Sequence, residues 1–201
     1  MYAIRTTSGF VIGSSQYGEA GKMLSIFTRD LGLVTAVASG VRLEKAKLRY
    51  HTQDYSFAIF SLVRGKEFWR LTSAGAAVEK TDEQMVERTK TKGSRELLAR
   101  IALLLRRLLQ GEDPNPELFE CIQACVDFLA GDPELNVERL KTLESLTVIR
   151  MLERLGYIGS DAFLDDHIGH SALTPDILDM LAGHRTAMNR HINNALKESH
   201  L

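Results

Sequence analysis

The feature that most constrains this chain is a change of hydrophobic period near Lys80. Before it, apolar residues alternate with polar ones or come in short β-branched and aromatic runs broken by glycine; after it, they recur every three or four residues. The first eighty residues therefore predict strands and the remainder helices. One strand holds Phe10, Val11 and Ile12 and ends near Gly13. A second covers residues 24–28. The turn Asp30-Leu31-Gly32 leads into a third over 33–38, and residues 57–63 and 69–77 form a hairpin about Arg64-Gly65-Lys66. Five short strands leave no room for crossover helices, which suits a small closed antiparallel barrel of the OB type. The expected fold is α+β: a five-stranded OB-fold barrel over residues 1–80, then an all-helical domain over 81–201.

The helical half carries its own punctuation. A polar helix starts at Thr81-Asp82-Glu83. Ser94 is read as the cap of a helix whose stripe is Leu97, Leu98, Ile101, Leu104, Leu105 and Leu108, ending at Gly111. Asn115-Pro116-Glu117 starts the next: a capping side chain, a proline in the first turn, then an acid where the helix dipole favours it. Its stripe is Leu118, Phe119, Ile122, Val126 and Leu129. A third long helix covers 137–155 before Gly156, residues 157–172 read as loop, and Thr174-Pro175 opens a last helical stretch, bent near Gly183, with Met188, Ile192 and Leu196 on one face.

Several chemistries fail on spacing. The glycine-rich segment 13–22 lacks a phosphate-binding loop's order, because Glu19 follows Gly18, and Gly21-Lys22 is followed by Met23 rather than a hydroxyl. Asp165, Asp166, His167 and His170 lie close enough to raise a metal site, but without a Cys-x-x-Cys pair a solvated polar loop is favoured. No nucleophile elbow is recognisable, neither cysteine has a histidine near it in sequence, and Glu112-Asp113 reads as ordinary acidic surface. Cys121 and Cys125, four apart on a helix, read as reduced, buried small hydrophobes. The start Met1-Tyr2-Ala3-Ile4-Arg5 has no signal-peptide pattern and no apolar run approaches a membrane span, so the expectation is a cytoplasmic protein without membrane contact. No enzyme, cofactor or metal is expected.

Charge is more informative. Residues 1–80 carry 11 Lys+Arg against 6 Asp+Glu, and residues 81–201 carry 14 against 20, so a net charge of −1 conceals a basic barrel and an acidic helical half. Arg42, Lys45, Lys47 and Arg49 oppose one acid, Glu44, within residues 40–50; Lys22, Arg29, Arg64, Lys66 and Arg70 sit at strand ends and in the hairpin. Cations gathered on a small barrel neutralise backbone phosphates and release counterions, a salt-sensitive attraction blind to sequence. Tyr17, Tyr50, Tyr55, Phe68 and Trp69 lie among them and offer faces for stacking unpaired bases. Taken singly, most aromatics are better read as barrel core, Phe57 and Phe60 above all.

Residues 9–20 and 24–32, with the Tyr-Gly-Glu-Ala and Phe-Thr-Arg-x-Leu-Gly pieces, resemble the start of the bacterial DNA-repair protein family RecO. So do 37–42 leading into the basic loop, 71–74, Asn115-Pro116-Glu117-Leu118-Phe119, and Leu-Glu-Arg-Leu-Gly-Tyr at 152–157. The resemblance implies an OB-fold that binds single- and double-stranded DNA and anneals complementary strands. It also implies recombinase loading, with the ring-forming partner RecR, onto strands coated by single-stranded-DNA-binding protein, whose acidic, apolar C-terminal tail docks on the helical domain. Carried over, the DNA-binding positions are Lys22, Arg42, Lys45, Lys47 and Arg49, to which charge adds Arg64, Lys66 and Arg70; Arg100, Arg106 and Arg107 are candidates for the tail. The sequence departs from the pattern twice: 158–172 lacks the four cysteines of the zinc element many members carry, and Ser39 stands where a lysine is frequent, removing one phosphate contact. The competing readings are an interaction adaptor that acts through the acidic helical half without touching DNA, and a metal enzyme built on the loop around Asp165.

Overall fold

A computed structural model describes residues 3–42, 47–76, 91–131, 135–159 and 172–198. Five strands, β1 Ile4–Tyr17, β2 Gly21–Thr28, β3 Gly32–Ala38, β4 Phe57–Arg64 and β5 Trp69–Gly75, close into a barrel in the order β1-β2-β3-β5-β4. All neighbours are antiparallel except β3 and β5, which run parallel at Ala36↔Trp69 and Val37↔Arg70. Closure removes exposed edges. The period-two residues Leu24 and Ile26, Val34, Ala36 and Ala38, Ala58, Phe60 and Leu62 fill the interior with Val11, Trp69 and Leu71. The crowding is tight enough that a Cβ on Gly9 would lie 2.7 Å from Ile26 and 2.9 Å from Phe60. Phe57 is half-buried and stacks on Phe10 with ring centroids 5.9 Å apart.

Strand β1 does not stop at Gly13 as expected. A bulge between Val11 and Gly13 lets the strand bend and serve two partners, β4 through residues 4–10 and β2 through 9–17. The connection before β4 covers this irregularity: Val11 N–H donates to the Ser56 carbonyl at 2.9 Å, and Tyr55 N–H donates to the Val11 carbonyl at 2.8 Å.

Among the described residues five helices follow: α1 Lys92–Leu108, α2 Pro116–Gly131, α3 Val137–Arg154, α4 Pro175–Ala182 and α5 Arg185–Glu198. The polar helix expected from Thr81 lies outside the described residues. Ser94 does not cap α1; Thr91 takes that position, its hydroxyl accepting from Ser94 N–H at 3.3 Å and meeting the Ser94 hydroxyl at 2.8 Å. Asn136 caps α3 and Thr174 caps α4, each accepting from the amide three residues on, as a side-chain oxygen does for the unpaired donors of a first turn. The expected bend near Gly183 separates α4 from α5.

The described residues divide into two compact units, one holding the barrel with Leu98–Pro116, the other holding the start of α1 and everything from Glu117 onward. Within the second, α3 packs against α4 and α5. Its core includes Leu118, Phe119, Ile122, Leu129, Leu143, Leu146, Ile149, Leu178, Leu181 and Met188. On α2 the buried position is Cys125, whereas Val126 is half-exposed. Arg139 makes a two-pronged pair with Asp179 at 2.9 and 2.7 Å, and Glu138 receives Arg185 and Lys141.

Candidate nucleic-acid interface

Register gathers much of the predicted charge at one end of the barrel. Lys22 opens β2 opposite Ala38, the last residue of β3; Arg70 lies opposite both Val37 and Val63, and Arg64 opposite Trp69. The β1–β2 turn, the exit from β3 and the β4–β5 hairpin therefore share this end. In OB barrels the face of strands two and three and the β1–β2 and β4–β5 loops receive oligonucleotides.

The individual cations differ in what already holds them. Lys22 has the inward parity of Leu24 and Ile26, and its Nζ donates to the Thr52 carbonyl at 3.3 Å, tying β2 to the segment that closes the barrel end. That segment contains a 3-10 turn, Lys47–Arg49, and is fixed by buried Thr52, whose hydroxyl donates to the carbonyls of Leu48 (3.0 Å) and Arg49 (3.3 Å). Arg42 is exposed, with its amide on the Ala20 carbonyl and its guanidinium on the Glu19 carbonyl, so it braces the β1–β2 turn. Arg49, Lys66 and Arg70 are exposed. Lys45 lies outside the described residues, and so does the Lys47 side chain.

On the outer face Arg70 lines a shallow cleft of about 250 Å³ with Val37, Ser39, Val63, Leu71 and Thr72. Ser39, the position marked in the sequence as lacking a frequent lysine, lines this cleft with a short hydroxyl beside Val37, Val63 and Leu71. Tyr17, 46% exposed, ends β1 opposite Gly21, and Tyr50, 73% exposed, follows the 3-10 turn. Trp69 does not present an open ring: it is 7% exposed, and the Arg64 guanidinium lies 5.1 Å from its ring centroid.

Glu112, dismissed in sequence as acidic surface, completes this group. Its Oε1 accepts from Arg64 Nη1 and, at 3.0 Å, from Trp69 Nε1–H. The segment that carries it is pinned to the barrel by Leu33 N–H on the Gly111 carbonyl at 3.1 Å and by Gly32. That glycine has φ +70°, and a Cβ there would sit 2.4 Å from the Asp113 nitrogen. Arg64 is thus ion-paired as well as stacked. The only sequence signal for this was the Gly111–Asp113 turn beyond the leucine stripe, and it named no partner.

Of the tail-docking candidates, Arg100, Arg106 and Arg107 all lie exposed on α1, with the Arg106 guanidinium near Gly13 of β1. A separate groove of about 300 Å³ runs between α3 and α5, lined by residues including Lys141, Ser145, Arg185 and Asn189, where the Ser145 hydroxyl meets Asn189 Oδ1 at 2.8 Å. None of the three arginines lines it.

The metal question raised at Asp165, Asp166, His167 and His170 falls outside the described residues. Among the described residues no group of three or more His, Cys, Asp or Glu is placed to hold an ion. A four-thiolate zinc element does not fit this chain, whose two cysteines are both on α2: burial pushes the Cys121 thiol up to about 11 and the Cys125 thiol to about 12, the latter partly offset by Thr147. Among the described residues no helix is long and apolar enough to cross a membrane.

A barrel in 1-2-3-5-4 order, joined to helices and rimmed with cations, defines an OB-fold protein with a helical extension. A family described as "Recombination protein O N terminal" matches residues 1–77. The chain is 38% identical over 63 residues to the DNA repair protein RecO of Alkaliphilus metalliredigens, 31% of this chain and 26% of that one. It is 28% identical over 149 residues to that of Actinobacillus pleuropneumoniae, 74% of this chain and 58% of that one. To that of Halalkalibacterium halodurans it is 25% identical over 165 residues, 81% and 63% of the two chains. The chain is similar to RecO proteins, through the family match over residues 1–77 and through these partial alignments, and it spans between about a quarter and three fifths of these relatives' length.

Proposed function

We propose that this chain is a DNA-binding recombination mediator of DNA repair, which anneals complementary strands and helps load recombinase onto single-stranded DNA coated by single-strand-binding protein. The observation that carries this reading is the convergence of Arg42, Arg49, Lys66 and Arg70 on the end of an OB barrel where the β1–β2 turn meets the β4–β5 hairpin, in a chain whose relatives are named DNA repair proteins. Lys22 and Arg64 extend the same interface, and the basic run of the sequence adds Lys45 and Lys47 as proposed phosphate contacts. Phosphates are held by charge, with exposed Tyr17 and Tyr50 offering faces to unpaired bases. Two strands held on one barrel meet at high local concentration, which promotes pairing without bond chemistry. The role is non-catalytic and cytoplasmic, the barrel of 1–80 handling DNA and the helical part of 81–201 handling proteins. The partners are RecR and the acidic tail of the single-strand binder, with Arg100, Arg106 and Arg107 as the cations nearest to hand.

Annealing of complementary oligonucleotides precoated with single-strand-binding protein tests this reading. Acceleration by the chain, lost when the binder's tail is removed, is expected; no acceleration on bare or coated strands overturns it.

A further inference from the structure

Arg64 Nη1 and Trp69 Nε1–H point at one and the same oxygen, Glu112 Oε1. Two donors from the β4–β5 hairpin thus form an anion cradle, and the anion in it belongs to the chain itself. Three observations define the arrangement. The cradle is backed by the indole, over which the guanidinium lies 5.1 Å from the ring centroid, so the donors are preoriented. The carboxylate is delivered by a segment fixed to the barrel through Gly32 and Leu33. And the pair is open to water, with Arg64 and Glu112 side chains 52% and 41% exposed, so the ion pair is weak and exchangeable.

We infer that Glu112 is a built-in competitor for nucleic acid: its carboxylate fills a phosphodiester site made by Arg64 and Trp69, and a backbone phosphate displaces it. This rests on the DNA-binding reading above. A phosphate oxygen satisfies the same two donors, and the departing carboxylate is hydrated at the surface. The site would act as a threshold, passing a continuous polyanion, whose many charges bind together, and rejecting isolated anions.

Trp69 is the single tryptophan of the chain, so its emission reports on the cradle directly. Oligothymidylate is titrated into the 201-residue chain while fluorescence anisotropy of the oligonucleotide and Trp69 emission are both followed. Expected is a saturable change of Trp69 emission with the same midpoint as the anisotropy. In addition, Glu112→Gln should bind about three- to fivefold more tightly, the range an exposed pair allows. That gain should disappear in the Arg64→Ala background, where there is no guanidinium to release. Binding by anisotropy with Trp69 emission unchanged overturns the inference and spares the DNA-binding reading, and this arm needs no variant to fold. An equal gain from Glu112→Gln with and without Arg64 also overturns it, since it reduces Glu112 to general charge. Absence of binding to either protein overturns the DNA-binding reading itself.

Discussion

Trp69 donates its indole N–H to Glu112 at 3.0 Å across 43 residues of sequence, and this bond belongs to the barrel as much as to the segment that ends α1. Buried indole N–H groups need an acceptor, and leaving one unmade costs more than a bond contributes when formed. Glu112→Leu, which strips acceptor and charge together, is expected to lower stability by about 1–2 kcal/mol. Urea denaturation followed by Trp69 emission checks this; an unchanged midpoint would show that water replaces the carboxylate without loss.

Gly32 is the position at which the barrel tolerates least. Its φ of +70° and the backbone of Asp113, 2.4 Å from where a Cβ would stand, act together. The left-handed conformation alone costs an L-residue about 1–2 kcal/mol, and the clash adds to it. Gly32→Ala should lower the urea midpoint by more than Gly18→Ala, a glycine also at positive φ but with nothing within 4 Å. Equal losses at the two sites would deny the packing of this segment on the barrel.

Caps should matter in the helical unit. Asn136 Oδ1 accepts from Arg139 N–H at 2.8 Å, and Asn136→Ala is expected to cost about 1 kcal/mol. Thermal melting by circular dichroism reads the loss, and Asn136→Asp should retain most of the wild-type stability.

The cysteines should be inert. With thiols at about 11 and 12, both bind their protons more tightly in the folded protein than free cysteine does, so at pH 8 the thiolate fraction is on the order of 0.1% or less. Alkylation at pH 8 should be slow in the native protein and complete for both residues in guanidinium. Cys121 is half-buried and Cys125 buried, so Cys125 should react more slowly of the two, and fast native modification of Cys125 would contradict its burial.

Much of this architecture was legible in the residues themselves. Leu24 and Ile26, or Ala58, Phe60 and Leu62, declare an inner face by alternation, and Thr174-Pro175 declares a helix start by chemistry. The errors came where local signals were ambiguous. Gly13 looked like a strand end because a bulge and a terminus both favour glycine, and Thr91 and Ser94 offer the same hydroxyl three residues apart. Cys125 and Val126 fit one stripe equally well until helix rotation is fixed by packing. The interface was legible as charge but not as arrangement. Nothing local marks Lys22 as inward-facing, since its parity follows from pairing with Ala38. Nothing local ties Arg64 to Glu112, 48 residues away, since that contact exists only once the end of α1 has docked.

The most direct test of the central claim is a salt titration of single-stranded DNA binding by the wild-type chain and by the Lys45→Ala, Lys47→Ala, Arg49→Ala triple variant. Each lost phosphate contact removes about 0.7 from the slope of log affinity against log salt on single strands. The predicted result is wild-type binding that weakens steeply with salt, and a variant that binds less tightly with a slope shallower by about two. Affinity and slope unchanged in the variant, or no binding by the wild type at low salt, would contradict it.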